Sequence, residues 1–382
     1  MNFLSIEWFL VMALTVGVYW ILPYTFRTAW LVTATAAFLI AFDIRSFFLL
    51  ALFAAILIYV TRSRRPTAYE FLGAGIVILG SVFVYKLQYR GQLTDPVGGL
   101  GIPLGLSYFA FRSLHLIIET YRKTLGPQKP MAVLGYLFFL PTIVVGPINR
   151  AGPYFEDRKN TGLSYSKFSQ GLERILYGYV KIAFIGNLLL GTRLGGIIHA
   201  LGPADQWLKL YLFMAQSTFS LYVQFSGFSD VAIGFGLLLG YRIMENFNWP
   251  ILQTNIAAFW RSWHISLTSW SRDYVYMPLI GVYRNPYLAT ITSFAFIGLW
   301  HDISWQYLVW GLYHAAGIMG WQQWQRIKRR IGVPSPAAAQ PIFKLLSILL
   351  TVHFFMLGTL IVTEPNLAAA GRAVAEILWG WI

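Results

Sequence analysis

Hydrophobic residues along this chain come in long continuous runs separated by short polar joints, the pattern of helices buried on all sides by lipid or protein. Apolar stretches cover 8–22, 30–42, 47–60 and 71–85, and the second and third are short enough to be tilted or partly embedded. Further stretches cover 167–190, 207–225, 286–300, 304–321 and 343–362. A helix needs about 20 apolar residues to cross a bilayer core, and the chain predicts roughly eleven such spans. The fold class expected is all-α: a polytopic helical membrane protein forming one unit over 1–382, with interfacial and broken helices and a motif-bearing core at about 100–320.

From residue 98 onward, glycines, prolines and ionisable groups interrupt the apolar runs instead of only flanking them. The runs 102–112 and 138–150 place Pro and Gly where a continuous helix wants neither. At membrane depth such breaks survive where the freed backbone is enclosed by protein or lines a wet cavity. Gly234 and Gly236 in the run 229–241 predict close helix packing. The segment 245–286 is too polar to span, holding Asn246, Asn248, Arg261, Arg272, Asp273 and Arg284 among tryptophans and tyrosines. Within it Trp260, Trp263, Leu267, Trp270 and Tyr274 recur at steps of three and four, predicting one helix lying in the membrane interface.

Composition excludes a soluble domain. Of 382 residues 57% are hydrophobic and 12% charged, a balance with too little polar surface for water. Lys and Arg number 29 against 15 acids, for a net charge of +14. In a soluble protein that excess points to nucleic acid; here it marks cytoplasmic loops, at Arg62, Arg64 and Arg65 and at Arg326, Lys328, Arg329 and Arg330, and no nucleic-acid partner is expected. Three spans precede the first of these loops, which places the N-terminus outside. The stretch 8–22 follows Glu7 rather than a basic region and lacks a small-residue cleavage site, so it reads as a retained first span. The chain has no cysteine, which excludes disulfides, thiolate metal sites and a covalent thioacyl enzyme on Cys.

Phosphate-binding Gly-rich loops, His-Glu-x-x-His and Gly-x-Ser-x-Gly are all absent, leaving six histidines at 115, 199, 264, 301, 314 and 353. Most histidines in such a chain are helix-packing hydrogen-bonders. His301, between two spans in the run 298–305, is the sharpest candidate for a general base acting on an acceptor hydroxyl. Asp302 faces it only if the chain turns there. On one straight helix His301 and His314 would stand about 20 Å apart and could not serve one carbonyl. His264 meets His301 only through tertiary folding. Ser304 is placed to cap the helix that follows. A transporter or flippase would also show broken helices and buried polar groups, but the two-halved internal repeat it favours is not seen.

At 259–278 (FWRSWHISLTSWSRDYVYMP) and 298–314 (GLWHDISWQYLVWGLYH) the sequence strongly resembles the membrane-bound O-acyltransferase family, in its bacterial alginate O-acetylation and teichoic acid D-alanyl transfer branch. Further matches are PLGLSYF at 103–109, VGPINR at 145–150, FSGFSDVAI at 225–233 and ENFN at 245–248. The resemblance implies that His301 is the catalytic histidine, with His264 the second polar member of a path through the protein. It implies a cytoplasmic thioester donor, acyl-CoA or an acyl-phosphopantetheine carrier protein, and no permanently bound cofactor or metal. Donor-side contacts then fall to Arg261, Arg272, Asn246 and Trp300. An acetyl group passed to a surface or exported polysaccharide through an extracytoplasmic partner protein, in a bacterial inner membrane, is favoured over D-alanylation. Gln224 and Asp302 depart from the family's usual Asp and Gly.

Overall fold

The computed structural model describes residues 5–62, 66–89, 103–160, 162–202, 205–332 and 341–380, so Arg64, Arg65 and the first part of the break beginning at residue 98 lie outside the described residues. Helices account for all the regular structure described, apart from an isolated bridge between Phe247 and Trp263. Among the described residues six helices are long and apolar enough, by length and composition, to cross a membrane, and Ile6–Ile21 is a shorter apolar helix. The expected number was roughly eleven. The difference lies in elements such as Leu106–Tyr121 and Pro286–His301, which stop at 16 residues, and Trp305–Arg330, whose tryptophans, tyrosines and glutamines lower its hydropathy.

The chain packs as two compact units. The first, 1–180 with 227–244, holds α1 (Ile6–Ile21), α2 (Tyr24–Phe42), α3 (Ile44–Thr61), α4 (Ala68–Tyr89), α5 (Leu106–Tyr121), α6 (Pro130–Leu137), α7 (Ala151–Lys159) and α8 (Tyr165–Tyr179). The Pro/Gly-broken run 138–150 folds here into a 3-10 turn and an extended segment, almost wholly buried. Its freed carbonyls find protein donors: Thr35 Oγ1 donates to the Phe138 oxygen at 2.7 Å and the Tyr136 hydroxyl to the Asn149 oxygen at 2.7 Å. Arg112, fully buried on α5, stands over the Tyr136 ring at 4.9 Å, with Nη1 3.4 Å from Thr142 Oγ1.

The second unit, 181–226 with 245–382, begins where α8 runs on through a π-helical segment, Val180–Leu194, into α9 (Gly195–Ala200). Next comes α10 (Gln206–Leu238), whose last part belongs to the first unit. There it crosses α8 at closest range. A Cβ on Gly234 would lie 2.6 Å from the Gly171 carbonyl oxygen, and one on Gly178 would lie 2.7 Å from that of Gly227. Between these contacts Arg174 Nη2 pairs with Asp230 Oδ1 at 2.6 Å. The expected close packing at Gly234 is therefore present, and Gly236 makes room for Ile243.

The polar segment 245–286 is not one interfacial helix. It breaks into α11 (Ile256–Ser262) and α12 (Ile265–Ser271), then passes through a π-turn, Arg272–Tyr276, into α13 (Met277–Tyr283). The break is at His264, whose left-handed backbone cannot propagate a right-handed helix. The aromatic stripe is real but points inward: Trp260, Trp263, Leu267 and Trp270 are all buried in protein. The unit is completed by α14 (Pro286–His301), α15 (Trp305–Arg330), α16 (Pro341–Thr363) and α17 (Leu367–Trp379). Met214 of α10, Met356 and Leu360 of α16 and Ile377 of α17 share one apolar cluster, and Thr218 bonds Thr359 across it at 2.9 Å.

Candidate active site

Asn285 caps α14, its Oδ1 accepting from the N–H groups of Tyr287 and Leu288 at 3.0 and 3.1 Å. The helix ends at His301, Asp302 leaves it extended at φ −158°, and Ser304 Oγ opens α15 by accepting from the Tyr307 N–H at 3.3 Å. The chain thus turns at Asp302 and α15 returns antiparallel to α14. A Cβ on Gly298 would lie 2.2 Å from the Tyr307 carbonyl oxygen, and one on Gly311 would lie 2.3 Å from that of Phe294. Straight-helix spacing therefore does not apply: the Trp310 ring lies 5.5 Å from His301 and 4.8 Å from His314.

His301 is exposed at this helix end, stacked on Tyr307 at 5.8 Å and beside Trp300 at 4.5 Å. His264 lies on the other side of Trp300, with ring centroids 6.0 Å apart, and is close enough to His301 for the two to interact electrostatically. It is 2% exposed, packs edge-on against Phe225 at 4.7 Å, and its Nε2 has no hydrogen-bond partner. Tertiary folding therefore brings together the two histidines and the tryptophan that the sequence singles out.

Asn246 is fully buried and holds the His264 turn. Its Oδ1 accepts from the Ser266 hydroxyl at 2.6 Å, and its backbone oxygen accepts from the Ile265 N–H at 2.9 Å. Beside it Phe247 pairs with Trp263, and the Asn248 N–H donates to the Ser262 oxygen at 3.0 Å. The run 245–248 is a clamp on the loop that carries His264.

Arg261 and Arg272 are exposed and line one cavity of about 410 Å³, together with Trp260, Ser293, Ile318 and Gln322. Arg272 also pairs with its neighbour Asp273 at 2.9 Å. The other histidines fall elsewhere. His353 bonds the Tyr211 hydroxyl at 2.8 Å, His115 Nε2 accepts from the Ala151 N–H at 2.9 Å, and His199 lines a separate open cavity. These three fit helix packing and surface roles. Among the described residues no group of three or more His, Asp or Glu is placed to hold a metal.

The family model for MBOAT, the membrane-bound O-acyltransferase family, matches residues 67–359. The chain belongs to this family. It is a polytopic membrane acyltransferase, and its relatives work on surface polymers by name. A protein of Azotobacter vinelandii called "Probable alginate O-acetylase AlgI" is 30% identical over 97% of this chain and 76% of its own length. The teichoic acid D-alanyltransferase of Bacillus subtilis is 28% identical over 78% of each chain. The peptidoglycan O-acetyltransferase of Helicobacter pylori is 27% identical over 70% of this chain and 55% of its own length.

Within this acyltransferase, sequence reasoning missed three features. One is the Arg174–Asp230 pair, which gives the run 225–233 a packing reason. Another is Asn246 as a clamp. The third is the setting of His314, fully buried with neither ring nitrogen bonded, which the sequence offered only as one of six histidines and as the end of the run 298–314.

Proposed function

We propose that this O-acyltransferase passes an acetyl group from a cytoplasmic thioester donor, acyl-CoA or an acylated phosphopantetheine carrier protein, to a cell-surface or exported polysaccharide. The enzyme lies in a bacterial inner membrane with its N-terminus outside and hands the group to an extracytoplasmic partner. The observation that carries this reading is the exposed His301 ring at the end of α14, flanked by Trp300 and with His264 beyond it. His301 takes the proton of an acceptor hydroxyl as that oxygen attacks the thioester carbonyl. The tetrahedral intermediate collapses, the C–S bond breaks, and the departing thiolate recovers the proton from His301. Arg261 and Arg272, sharing one cavity, are placed to hold the donor's phosphates.

Transfer of radiolabel from acetyl-CoA to membranes containing the protein tests this reading. Wild type should transfer label, and His301→Ala, with expression and folding intact, should transfer none. His264→Ala should impair transfer less severely. Near-normal turnover in His301→Ala would remove His301 as the base. Label from a D-alanyl carrier protein and none from acetyl-CoA would favour the second reading, D-alanylation, which rests on the similarity to the teichoic acid enzymes.

A further inference from the structure

One face of α15 joins the basic cavity to the catalytic histidine. Tyr307, Trp310, His314, Ile318 and Gln322 follow one another at steps of three and four, so they lie in one row. Tyr307 stacks on His301, while Ile318 and Gln322 line the cavity that Arg261 and Arg272 border. From Tyr307 to Gln322 the helix rises about 22 Å, on the scale of an extended pantetheine arm.

Midway along this row His314 is 0% exposed, and neither ring nitrogen has a hydrogen-bond partner. Its cage is aromatic: Trp260 at 5.0 Å, Trp310 at 4.8 Å, Tyr313 at 5.2 Å and Phe355 at 5.6 Å. On the remaining side Gly358 leaves room where a Cβ would come within 2.9 Å of Nε2. A phenylalanine or leucine would fill such a cage with no polar atom to satisfy, so the imidazole is unfavourable there in the absence of a partner. Two further buried polar atoms, on residues that line the cavity, share its condition: Trp260 Nε1 and Ser293 Oγ have no partner either. Three unsatisfied polar groups in an apolar wall suit a slender ligand with spaced hydrogen-bonding groups. An alkyl chain offers nothing to any of them. The two amides of a pantetheine arm offer carbonyls to the indole N–H and the serine hydroxyl, and complementary groups to the imidazole.

We propose that His314, with Trp260 Nε1 and Ser293 Oγ, grips the amide groups of the donor's pantetheine arm between the Arg261–Arg272 cavity and His301. His314 is then a donor-binding residue, and entry of the arm parts the Trp260 and Trp310 rings. This rests on the acyl-transfer reading above.

Binding calorimetry on the full chain in lipid nanodiscs, with CoA and with 3′,5′-ADP, which lacks the arm, isolates this contact. His314→Phe should weaken CoA about tenfold, the worth of one or two hydrogen bonds, and leave 3′,5′-ADP unchanged. His314→Gln, which keeps hydrogen-bonding atoms, should recover most of the loss. Ser293→Ala serves if His314→Phe does not fold, and should weaken CoA alone. Equal weakening of both ligands, or CoA binding indifferent to both substitutions while wild-type label transfer is intact, would overturn the proposal alone. Wild type that binds neither CoA nor 4′-phosphopantetheine would also overturn it. Absence of label transfer by wild type from every thioester tried would instead remove the acyl-transfer reading beneath it.

Discussion

Gly298→Ala perturbs the hairpin of α14 and α15, which carries the proposed base His301, at its tightest point. The added methyl carbon would lie 2.2 Å from the Tyr307 carbonyl oxygen, where ordinary contact begins at 3.4 Å. Both atoms are fixed to backbone, so no side-chain rotation relieves the clash and α15 has to move off α14 by about 1 Å, the difference between those distances. Overpacking of this kind costs about 1–3 kcal/mol, and the better helix preference of Ala over Gly returns about 1 kcal/mol. The net loss of stability is therefore small, on the order of 1 kcal/mol. Function suffers more, because His301 lies three residues beyond the substitution and stacks on Tyr307, the residue struck. A displacement of about 1 Å between reacting groups lowers turnover by roughly 100-fold. The assay is the initial rate of label transfer beside the thermal midpoint in the same detergent. Gly320→Ala is the control, since nothing lies within 4 Å of a Cβ there. A folded Gly298→Ala enzyme working at the wild-type rate would refute the claim that this contact sets the geometry at His301.

Substituting Arg261 or Arg272 by Ala should raise KM for the donor with little change in kcat, and the double variant should lose the salt dependence of KM; an unchanged KM would remove them as phosphate contacts. Asp230→Asn should destabilise the protein by about 2–3 kcal/mol, less than the ~3–5 kcal/mol of a fully enclosed pair because Arg174 is 31% exposed; a thermal midpoint equal to wild type would contradict this. Asn246→Ala removes the acceptor of the Ser266 hydroxyl and should cost about 1–3 kcal/mol, with transfer falling further than stability because the His264 turn loosens; activity unchanged in the folded variant would show that the turn holds itself.

What was legible in the sequence was local. The apolar runs marked helices, Ser304 marked the start of α15, and Gly234 marked a close crossing, because each depends on residues within a turn or two or on the absence of a side chain. The number of spans was less legible, since α5 and α14 end after 16 residues and a run of apolar letters does not say how deep a helix goes. Of the candidate site, His301 stood out by its place between two spans, while its grouping with His264 and Trp300 came only through the resemblance to a family. Spacing could relate His301 to His314 only on the supposition of one straight helix, and it is the turn at Asp302 that makes Trp310 a neighbour of both. The expected interfacial helix failed for a long-range reason: its break at His264 is held by Asn246, which accepts from the Ser266 hydroxyl 20 residues further along the chain, and no local pattern announces that pairing.

That break also bears on what His264 is for. A turn that merely joins α11 to α12 needs no side chain at its left-handed position and forms most easily with glycine, which meets no Cβ penalty there. His264 instead holds φ 45° and ψ 52°, a strained conformation for a residue of its size, and carries a buried Nε2 with no partner. The clamp at Asn246 and the bridge between Phe247 and Trp263 oppose both penalties. Hydrophobic packing alone gives no reason for an imidazole at this position. Its placement across Trp300 from the exposed His301 ring is explained if the imidazole itself is what the loop presents, with its Nε2 left for a group that arrives with the substrate.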